Sequence, residues 1–223
     1  MQRPKCRSQG VISGQPQKRV SVVVANYNMG RYVVEAIESI LAQTYPVHEV
    51  NVVDDGSTDD SREVLSRYQD HPIVRVFLQP NGGQAKAKNK GIREATGDFI
   101  AFLDADDLWI PEKLERQLPW FDSDPDLGVV HTNFVLIRPD GTPIGTPKRT
   151  YYDGWISDRL IVDNFVNGMA SVVRRSCFEK VGLFDESIPM GIDYDLWLRI
   201  SPHYKFLFID EKAYLYRQWE GQM

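Results

Sequence analysis

Along the first half of the chain, continuous apolar runs alternate with stretches that show helical patterns. Four apolar runs predict strands at 20–26, 50–58, 74–78 and 98–107. Apolar residues recur at helical spacing over 31–43, and a glycine-rich turn opens another helical stretch over 81–95. Strands that alternate with helices predict a parallel sheet with helices on both faces. Ligands of such sheets bind beyond the carboxyl ends of the strands.

Two predicted helices begin at residues that favour a helix start. Thr58 is a candidate N-cap for a helix after the second strand, with Asp59 and Asp60 near the positive end of that helix. Pro111 is placed to begin a later helix, because proline is well tolerated at the first helical position.

The second half of the chain is less regular. We expect a loop over 139–157 that includes a hairpin-like turn, and a short helix that ends at Gly182 after a strand. The other expected elements are a strand at 128–137, a helix at 192–201 and two last strands at 205–210 and 214–219. The whole pattern predicts an α/β fold, with a Rossmann-like, mostly parallel sheet flanked by helices and a mixed second half.

Composition narrows the class of protein. The 223 residues include 20 Asp and 11 Glu and carry a net charge of -5, which argues against a nucleic-acid binder. Cys6 lies in a polar tail far from Cys177, so the two cysteines do not indicate a disulfide framework or a zinc site. No apolar run reaches about 18 residues, so no membrane span is predicted. Residues 1–19 are basic without an acid, which predicts a flexible tail.

The strongest candidate for chemistry is the Asp-Ala-Asp sequence at the end of the fourth strand. Asp104 and Asp106 are two residues apart, so in a strand their carboxylates would lie on the same side of the chain. Two such carboxylates repel each other unless a cation lies between them, and Mg²⁺ or Mn²⁺ suits these oxygen ligands. The alternative is a turn in which Asp106 or Asp107 caps a helix that begins at Leu108.

The first two strands also end in polar residues. A carboxylate of Asp54 or Asp55 could accept a hydrogen bond from a pyrimidine base or a ribose hydroxyl. A plain Asp-Gly turn explains the same pattern when it is taken alone. Tyr27 could stack on a base, or it could simply cover the core.

The glycine-rich segment 81–91 resembles a phosphate-binding loop. It lacks the Gly-Lys-Ser/Thr ending of a P-loop, and no G-x-G-x-x-G follows the first strand. Lys86, Lys88 and Lys90 fan over different helix faces, so one of them could reach a diphosphate while the others are solvated.

Two further acids stand at the start of a predicted helix. Asp193 and Asp195 lie where the helix dipole favours anions. One of them is a candidate general base, and the alternative is that both only stabilise the helix start.

Four segments, taken together and in this order, resemble family 2 glycosyltransferases. They are SVVVANYNMGRYVVEAIESILAQTYP, VNVVDDGSTDDS, GGQAKAKNKGIREATGDFIAFLDADDLWIPEKL and GIDYDLWLRI, and the resemblance covers about residues 20–200. It implies the GT-A fold, a nucleoside-diphosphate sugar donor, Mn²⁺ or Mg²⁺, and inversion at the anomeric carbon. We expect one domain over 20–223, with a nucleotide-sugar-binding half at 20–110 and an acceptor-binding half at 111–223.

The resemblance also implies roles for individual residues. Asp106 would ligate the metal directly, Asp104 would serve the ribose or the metal through water, and Asp193 would deprotonate the acceptor hydroxyl. Asp55 would hold the base, and Lys88 would sit near the diphosphate. The full nucleotide-binding set is Ala25, Tyr27, Asn28, Asp54, Asp55, Lys88 and Asp104.

Two positions depart from the family pattern. Ile192 stands where the family usually has Glu, and Trp219 replaces the His of a closing Tyr-Arg-x-His pattern. The QxxRW motif of processive synthases is missing, which favours transfer of a single sugar. Acceptor contacts are expected from Asp195 and from the segment 139–170, where Trp155 could stack on a sugar or pack in the core.

The predicted function is therefore single-sugar transfer from a UDP-sugar, or from a dTDP- or GDP-sugar. The acceptor would be a glycan, a lipid-linked molecule or a small molecule in polysaccharide or lipopolysaccharide biosynthesis. The expected location is the cytoplasm, and the alternative is peripheral association with the inner face of a membrane. A sugar-nucleotide nucleotidyltransferase and a non-catalytic sugar-nucleotide-binding module are the alternatives.

Overall fold

A computed structural model describes residues 17–220. The strands are β1 (Val20–Asn26), β2 (Glu49–Asp54), β3 (Val74–Leu78), β4 (Phe99–Asp104), β5 (Leu108–Trp109), β6 (Leu127–Ile137), β7 (Pro143–Gly145), β8 (Val172–Arg174) and β9 (Lys205–Arg217). The α-helices are α1 (Gly30–Leu41), α2 (Ser61–Leu65), α3 (Gln84–Glu94), α4 (Lys113–Gln117), α5 (Ser157–Leu160), α6 (Arg175–Val181) and α7 (Ile192–Ile200). Short 3-10 turns cover Ser66–Tyr68, Leu118–Asp122 and Gly168–Ala170.

The first half of the chain forms the parallel part of the sheet. Strands β3, β2, β1 and β4 are adjacent in that order and all parallel. Ala25 pairs with Val53 on one side and with Asp104 on the other, so the carboxyl ends of three strands meet at one edge. The predicted parallel sheet is confirmed, and its ligand-binding edge is the place to look for a site.

The second half extends the same sheet with mixed strand directions. Strand β8 runs antiparallel to β4, β6 runs antiparallel to β8, and β9 runs parallel to β6. The two predicted last strands form one strand, β9, which pairs along almost all of β6. The register between the two strands shifts near Thr132 and Asn133. The expected mixed half of an α/β fold is therefore confirmed.

The core lies on both faces of this sheet. Along β1, Val22 and Val24 belong to one buried cluster, whereas Val23 belongs to the other. Helix α1 packs on the first cluster through Val33 and Ile37, both completely buried. An apolar run that is buried on both faces shows no alternation, which is why the β1 sequence is continuously apolar.

Two helix starts differ from their predictions. Helix α2 begins at Ser61, so its N-cap position is Asp60 rather than Thr58, and Asp59 Oδ1 accepts from the Ser61 amide at 3.0 Å. The helix after Pro111 begins at Lys113, two residues later than expected.

Most of the predicted basic tail lies outside the described residues. In its described part, Lys18 pairs with Asp122 at 2.7 Å and Arg19 pairs with Asp98 at 2.9 Å, so these two residues contact the domain. Within residues 17–220, no helix is long and apolar enough to cross a membrane.

Candidate active site

A pocket of about 380 Å³ opens at the carboxyl edge of the parallel strands, and we call it the site pocket. Both halves of the chain line it. Its lining residues are Gln84, Lys88, Asp104, Phe134, Arg149, Asn164, Val166, Asn167, Gly168, Met169, Gly191, Ile192, Asp193, Tyr214 and Tyr216. Three residues that the sequence predicted for separate roles, Lys88, Asp104 and Asp193, therefore meet in one cavity.

Helix α3 supplies a nearly buried cation to the site pocket. Gln84 and Lys88 are four residues apart, so they lie on the same helix face. Lys88 Nζ lies 3.0 Å from Asp104 Oδ1, and its side chain is only 3% exposed. Gln84 Nε2 donates to the same carboxylate oxygen at 3.4 Å. A nearly buried ammonium is thus held in the site by a charge partner.

The two acids of the Asp-Ala-Asp sequence are held by different parts of the chain. Strand β4 ends at Asp104, and the next two residues form a turn closed by the Asp107 amide donating to the Asp104 carbonyl at 3.1 Å. The expected placement of both carboxylates on one side of a strand is therefore wrong. Asp106 accepts instead from the indole Nε1 of Trp219 at 2.9 Å, and it is 7% exposed.

Asp107 anchors this turn to the far end of the chain. Its carboxylate accepts from the Tyr214 hydroxyl and, at 2.7 Å, from the Arg217 amide. Burial, together with the nearby charges of Asp106 and Asp104, raises the pKa of Asp107 well above its ordinary value. The alternative of a helix cap before Leu108 is wrong, because Leu108 begins strand β5.

Arg217, the arginine of the closing Tyr-Arg-x-His pattern, holds the same turn, a role that the pattern did not reveal. Its side chain is almost completely buried, and its guanidinium carbon lies 4.6 Å from the ring centroid of Tyr32. It donates to the carbonyls of Asp106 at 2.7 Å and Pro139 at 2.6 Å, and to Glu35 at 2.7 Å. An arginine that joins three segments in this way fixes the position of the Asp106 backbone.

The acids after β2 divide into two roles. Asp55 accepts from the amides of Gly82 and Gly83 at 3.0 and 2.8 Å and from Gln79 at 2.7 Å, so it shapes the turn before α3. Asp54 is completely buried and accepts from Asn26 at 2.9 Å. Both carboxylates thus support loops at the strand ends, and the nucleotide contacts of Asp54 and Asp55 stay predictions.

The loop after β1 presents the rest of the predicted nucleotide set. Asn28 has a φ of 54°, a left-handed conformation that asparagine tolerates, and its Oδ1 accepts from the Thr58 amide at 2.7 Å. Tyr27 is 42% exposed, which leaves its ring accessible for stacking. Ala25 is partly exposed beside Asp104 in the sheet. The nucleotide contacts of these three residues stay predictions.

Asp193 reaches the site pocket from the start of helix α7. Its Oδ1 accepts from the Tyr194 amide at 2.9 Å. A Cβ built on Gly168 would lie 3.2 Å from Asp193 Oδ2, so the glycine leaves room for the carboxylate. Ile192, the departure from the family pattern, is 5% exposed and packs in the second core cluster as well as lining the pocket.

The two predicted acceptor contacts lie away from this cavity. Asp195 pairs with Arg199 at 2.7 Å within helix α7 and does not line the site pocket, so it stabilises the helix. Trp155 is 54% exposed, with Lys205 Nζ 5.7 Å from its ring centroid, and it does not line the site pocket either. Neither position supports the predicted contact with an acceptor bound there.

The carboxylates fit a cation that is shared with a ligand. Among residues 17–220, no group of three or more His, Cys, Asp or Glu side chains is arranged to hold a metal ion. Mg²⁺ and Mn²⁺ are commonly bound by one or two carboxylates, with phosphate oxygens and waters completing the shell. Asp104 lines the site pocket and Asp106 lies in the turn that follows it, so the chemistry of these two carboxylates suits an ion shared with a phosphate ligand.

Sequence comparison decides the family. The family model described as Glycosyl transferase family 2 matches residues 21–182. The chain belongs to this family. Its membership disfavours the nucleotidyltransferase alternative and confirms the resemblance seen in the four sequence segments.

Relatives of this family match most of the chain. An uncharacterized glycosyltransferase of Rickettsia felis is 35% identical over 82% of this chain, and a Bacillus subtilis glycosyltransferase named for teichuronic acid biosynthesis, TuaG, is 38% identical over 64%. The chain spans 30% and 58% of the length of these two relatives, respectively.

Solved structures confirm the GT-A fold. Residues 1–349 of TarS from S. aureus, in complex with UDP-GlcNAc, superpose with a TM-score of 0.76 at 23% identity, over 92% of this chain and 60% of that one. The mannosyltransferase PcManGT from Pyrobaculum calidifontis, in complex with GDP-Man and Mn²⁺, gives a TM-score of 0.69 at 25% identity, over 90% and 57%.

Proposed function

We propose that this chain is an inverting glycosyltransferase that moves a single sugar from a nucleoside-diphosphate sugar, with UDP favoured, to an acceptor hydroxyl. The observation that carries the proposal is the meeting of Lys88, Asp104 and Asp193 in one pocket. The first two residues come from the nucleotide half and the third from the opposite half. A donor bound at the strand ends would therefore face a carboxylate across the cavity.

On the donor side, Lys88 supplies a fixed positive charge for the diphosphate. Its ammonium is already oriented by Asp104 at 3.0 Å, so binding a diphosphate requires little reorganisation. Asp106 and Asp104 would hold Mn²⁺ or Mg²⁺, which neutralises charge on the leaving diphosphate when it is bound. The UDP-GlcNAc, GDP-Man and Mn²⁺ named with the structural neighbours support this choice of donor and ion.

On the acceptor side, Asp193 takes the proton from the attacking hydroxyl. A carboxylate opposite the leaving group favours in-line attack, and in-line attack in one step inverts the anomeric centre. No covalent enzyme nucleophile is needed for this course. Gly168 keeps the space next to Asp193 open for the acceptor oxygen, since a side chain there would crowd the carboxylate.

We infer a role in polysaccharide or cell-wall glycan biosynthesis. The names of two relatives support this: TuaG is named for teichuronic acid biosynthesis, and a Pasteurella multocida relative, 32% identical over 87% of this chain, is a chondroitin synthase. The chain spans 20% of that synthase.

The test is a donor panel with a metal control. Purified protein is titrated with UDP, dTDP and GDP by calorimetry, with Mn²⁺ or with EDTA, and release of free nucleotide from the matching sugar donors is then followed. We expect UDP binding that depends on Mn²⁺ and is lost in Asp106→Ala, whereas the exposed control Asp70→Ala binds like the wild type. Absence of binding to every nucleotide, with and without Mn²⁺, would overturn the proposal.

A further inference from the structure

A second cavity adjoins the site pocket and shares the lining residue Arg149 with it. It has a volume of about 360 Å³, and we call it the basic pocket. Its lining residues are Lys148, Arg149, Thr150, Tyr152, Arg159, Val162, Asp163 and Phe165. Three cationic side chains and one carboxylate therefore surround it.

The two pockets share a wall. Arg149 lines both of them. In the segment 163–166 the residues alternate, because Asp163 and Phe165 line the basic pocket whereas Asn164 and Val166 line the site pocket. A ligand that fills the basic pocket is thus one side chain away from the cavity that contains Asp193.

The cations of the basic pocket are only loosely paired. Arg149 Nη2 lies 3.9 Å from Asp163 Oδ1, and Arg159 Nε lies 3.6 Å from Asp158 Oδ2. Both distances are longer than a hydrogen bond, and the carboxylate partners are 67% and 74% exposed. Such surface pairs are weak, so the guanidinium groups are available to a ligand anion.

An aromatic face completes the pocket. The Tyr152 ring packs edge-on against Phe165, with the ring centroids 5.1 Å apart, and Tyr152 remains 38% exposed. The Arg159 guanidinium carbon lies 5.3 Å from the Tyr152 centroid. An apolar ring face beside forked cationic donors suits a pyranose that carries an anionic group, because the ring packs on the sugar face and the donors bind the anion.

We propose that the basic pocket binds an acidic sugar of the acceptor, one that carries a carboxylate or a phosphate, and so directs the neighbouring hydroxyl to Asp193. This inference rests on the proposed function, since it names the acceptor class for the same site. An acidic lipid surface is the rival occupant, because Val162 and the adjacent Ile161 are 84% and 74% exposed. The concave shape of the pocket and its shared wall favour a sugar.

The test measures acceptor binding separately from donor binding. Wild-type protein, with UDP and Mn²⁺ present, is titrated by calorimetry with a hexuronate tetrasaccharide, a hexose-6-phosphate oligosaccharide, a neutral hexose tetrasaccharide and inorganic phosphate. We expect either acidic oligosaccharide to bind at least about tenfold more tightly than the neutral one. The two acidic arms then distinguish a carboxylate from a phosphate as the recognised group.

Single substitutions test whether the acidic oligosaccharide binds in the basic pocket. Arg149→Gln and Arg159→Gln should each weaken binding of the acidic oligosaccharide by about tenfold, and Arg159→Lys should recover part of that loss. Both arginines are exposed, with side-chain exposures of 41% and 59%, so the substitutions leave the core unchanged. Arg67→Gln, an exposed arginine on the 3-10 turn after α2, should bind like the wild type.

Several results would overturn the proposal. Equal binding of acidic and neutral oligosaccharides would do so, and so would inorganic phosphate binding as tightly as the sugar phosphate. Binding to phosphatidylglycerol vesicles without binding to any oligosaccharide would favour the lipid surface instead. UDP binding without preference for acidic sugars defeats this inference alone, whereas acidic-sugar binding without any nucleotide binding defeats only the proposed function.

Discussion

The two halves of the site are built in different ways. In the nucleotide half, each functional side chain lies at the end of a parallel strand or on the helix that follows it, as Asp104 and Lys88 do. The other half contributes long-range supports. The hydroxyl of Tyr214 and the amide of Arg217 donate to Asp107, which lies 107 and 110 residues away from them in the sequence. A local motif thus places the reactive groups, and a distant strand holds them in position.

The largest effect on stability is expected from the distant strand. Arg217→Ala removes the donors to the carbonyls of Asp106 and Pro139, so we expect unfolding free energy to fall by about 3 kcal/mol. Urea unfolding measures it. Arg116→Ala, which removes a pair in which both side chains are at least 40% exposed, is the control and should change stability by less than about 1 kcal/mol. Equal effects of the two variants would contradict a structural role for β9.

A pH-dependent effect is expected from His131, on β6 beside the site pocket. Burial lowers the pKa of His131 to about 3, whereas an unfolded histidine has a pKa of about 6.5. Below pH 6.5 the unfolded chain therefore takes up a proton that the folded chain does not. Stability from this group is complete above pH 6.5 and declines by about 1.4 kcal/mol per pH unit as the pH falls toward 3.

Substitution of His131 isolates this contribution. We expect the difference in unfolding free energy between the wild type and His131→Phe to shift by about 2 kcal/mol between pH 6.5 and pH 5, in favour of the variant at low pH. The exposed His203→Gln should show no such shift. A difference that does not change with pH would contradict the burial of a neutral imidazole.

The smallest effect is expected on Mn²⁺ affinity, from the hydrogen bond between Trp219 and Asp106 that joins the two halves of the chain. Trp219→Phe removes the N–H that donates to Asp106 at 2.9 Å. With UDP present, we expect Mn²⁺ to bind about threefold more tightly, because the carboxylate oxygen no longer shares its charge with the indole. The electron paramagnetic resonance signal of free Mn²⁺ measures this. Weaker binding of Mn²⁺ by the variant would mean that Trp219 supports the ion site rather than competing with it.

This contrast explains which features the sequence could reveal. Apolar runs that end in Asp54 or Asp104 predicted the parallel strands and the edge where the site lies, because strand ends are local features. The neighbours Asp54 and Asp55 could not be separated, since both are buried and only the packed structure shows that Asn26 donates to one and the amides of Gly82 and Gly83 to the other. The family resemblance supplied the remaining assignments, including Asp193.

The missed residues share a physical reason. Arg149 lies in a segment rich in proline, glycine and threonine without a hydrophobic period, so nothing in the sequence points its side chain toward a cavity. Arg217 belongs to the closing Tyr-Arg-x-His pattern and Tyr214 appears as an ordinary residue of a last strand, but the partners of both are known only once β9 is placed beside β5 and β6. Pairing across more than 100 residues is set by tertiary packing rather than by local pattern.

We propose that the two halves form one catalytic site with Asp193 as the base. It is tested most directly by measuring UDP affinity and nucleotide release from the sugar donor in Asp193→Asn, beside Asp195→Asn as the matched control on the same helix. We expect unchanged UDP affinity and about a thousandfold loss of transfer for Asp193→Asn, with near-normal transfer for Asp195→Asn. Full transfer activity in Asp193→Asn would contradict it.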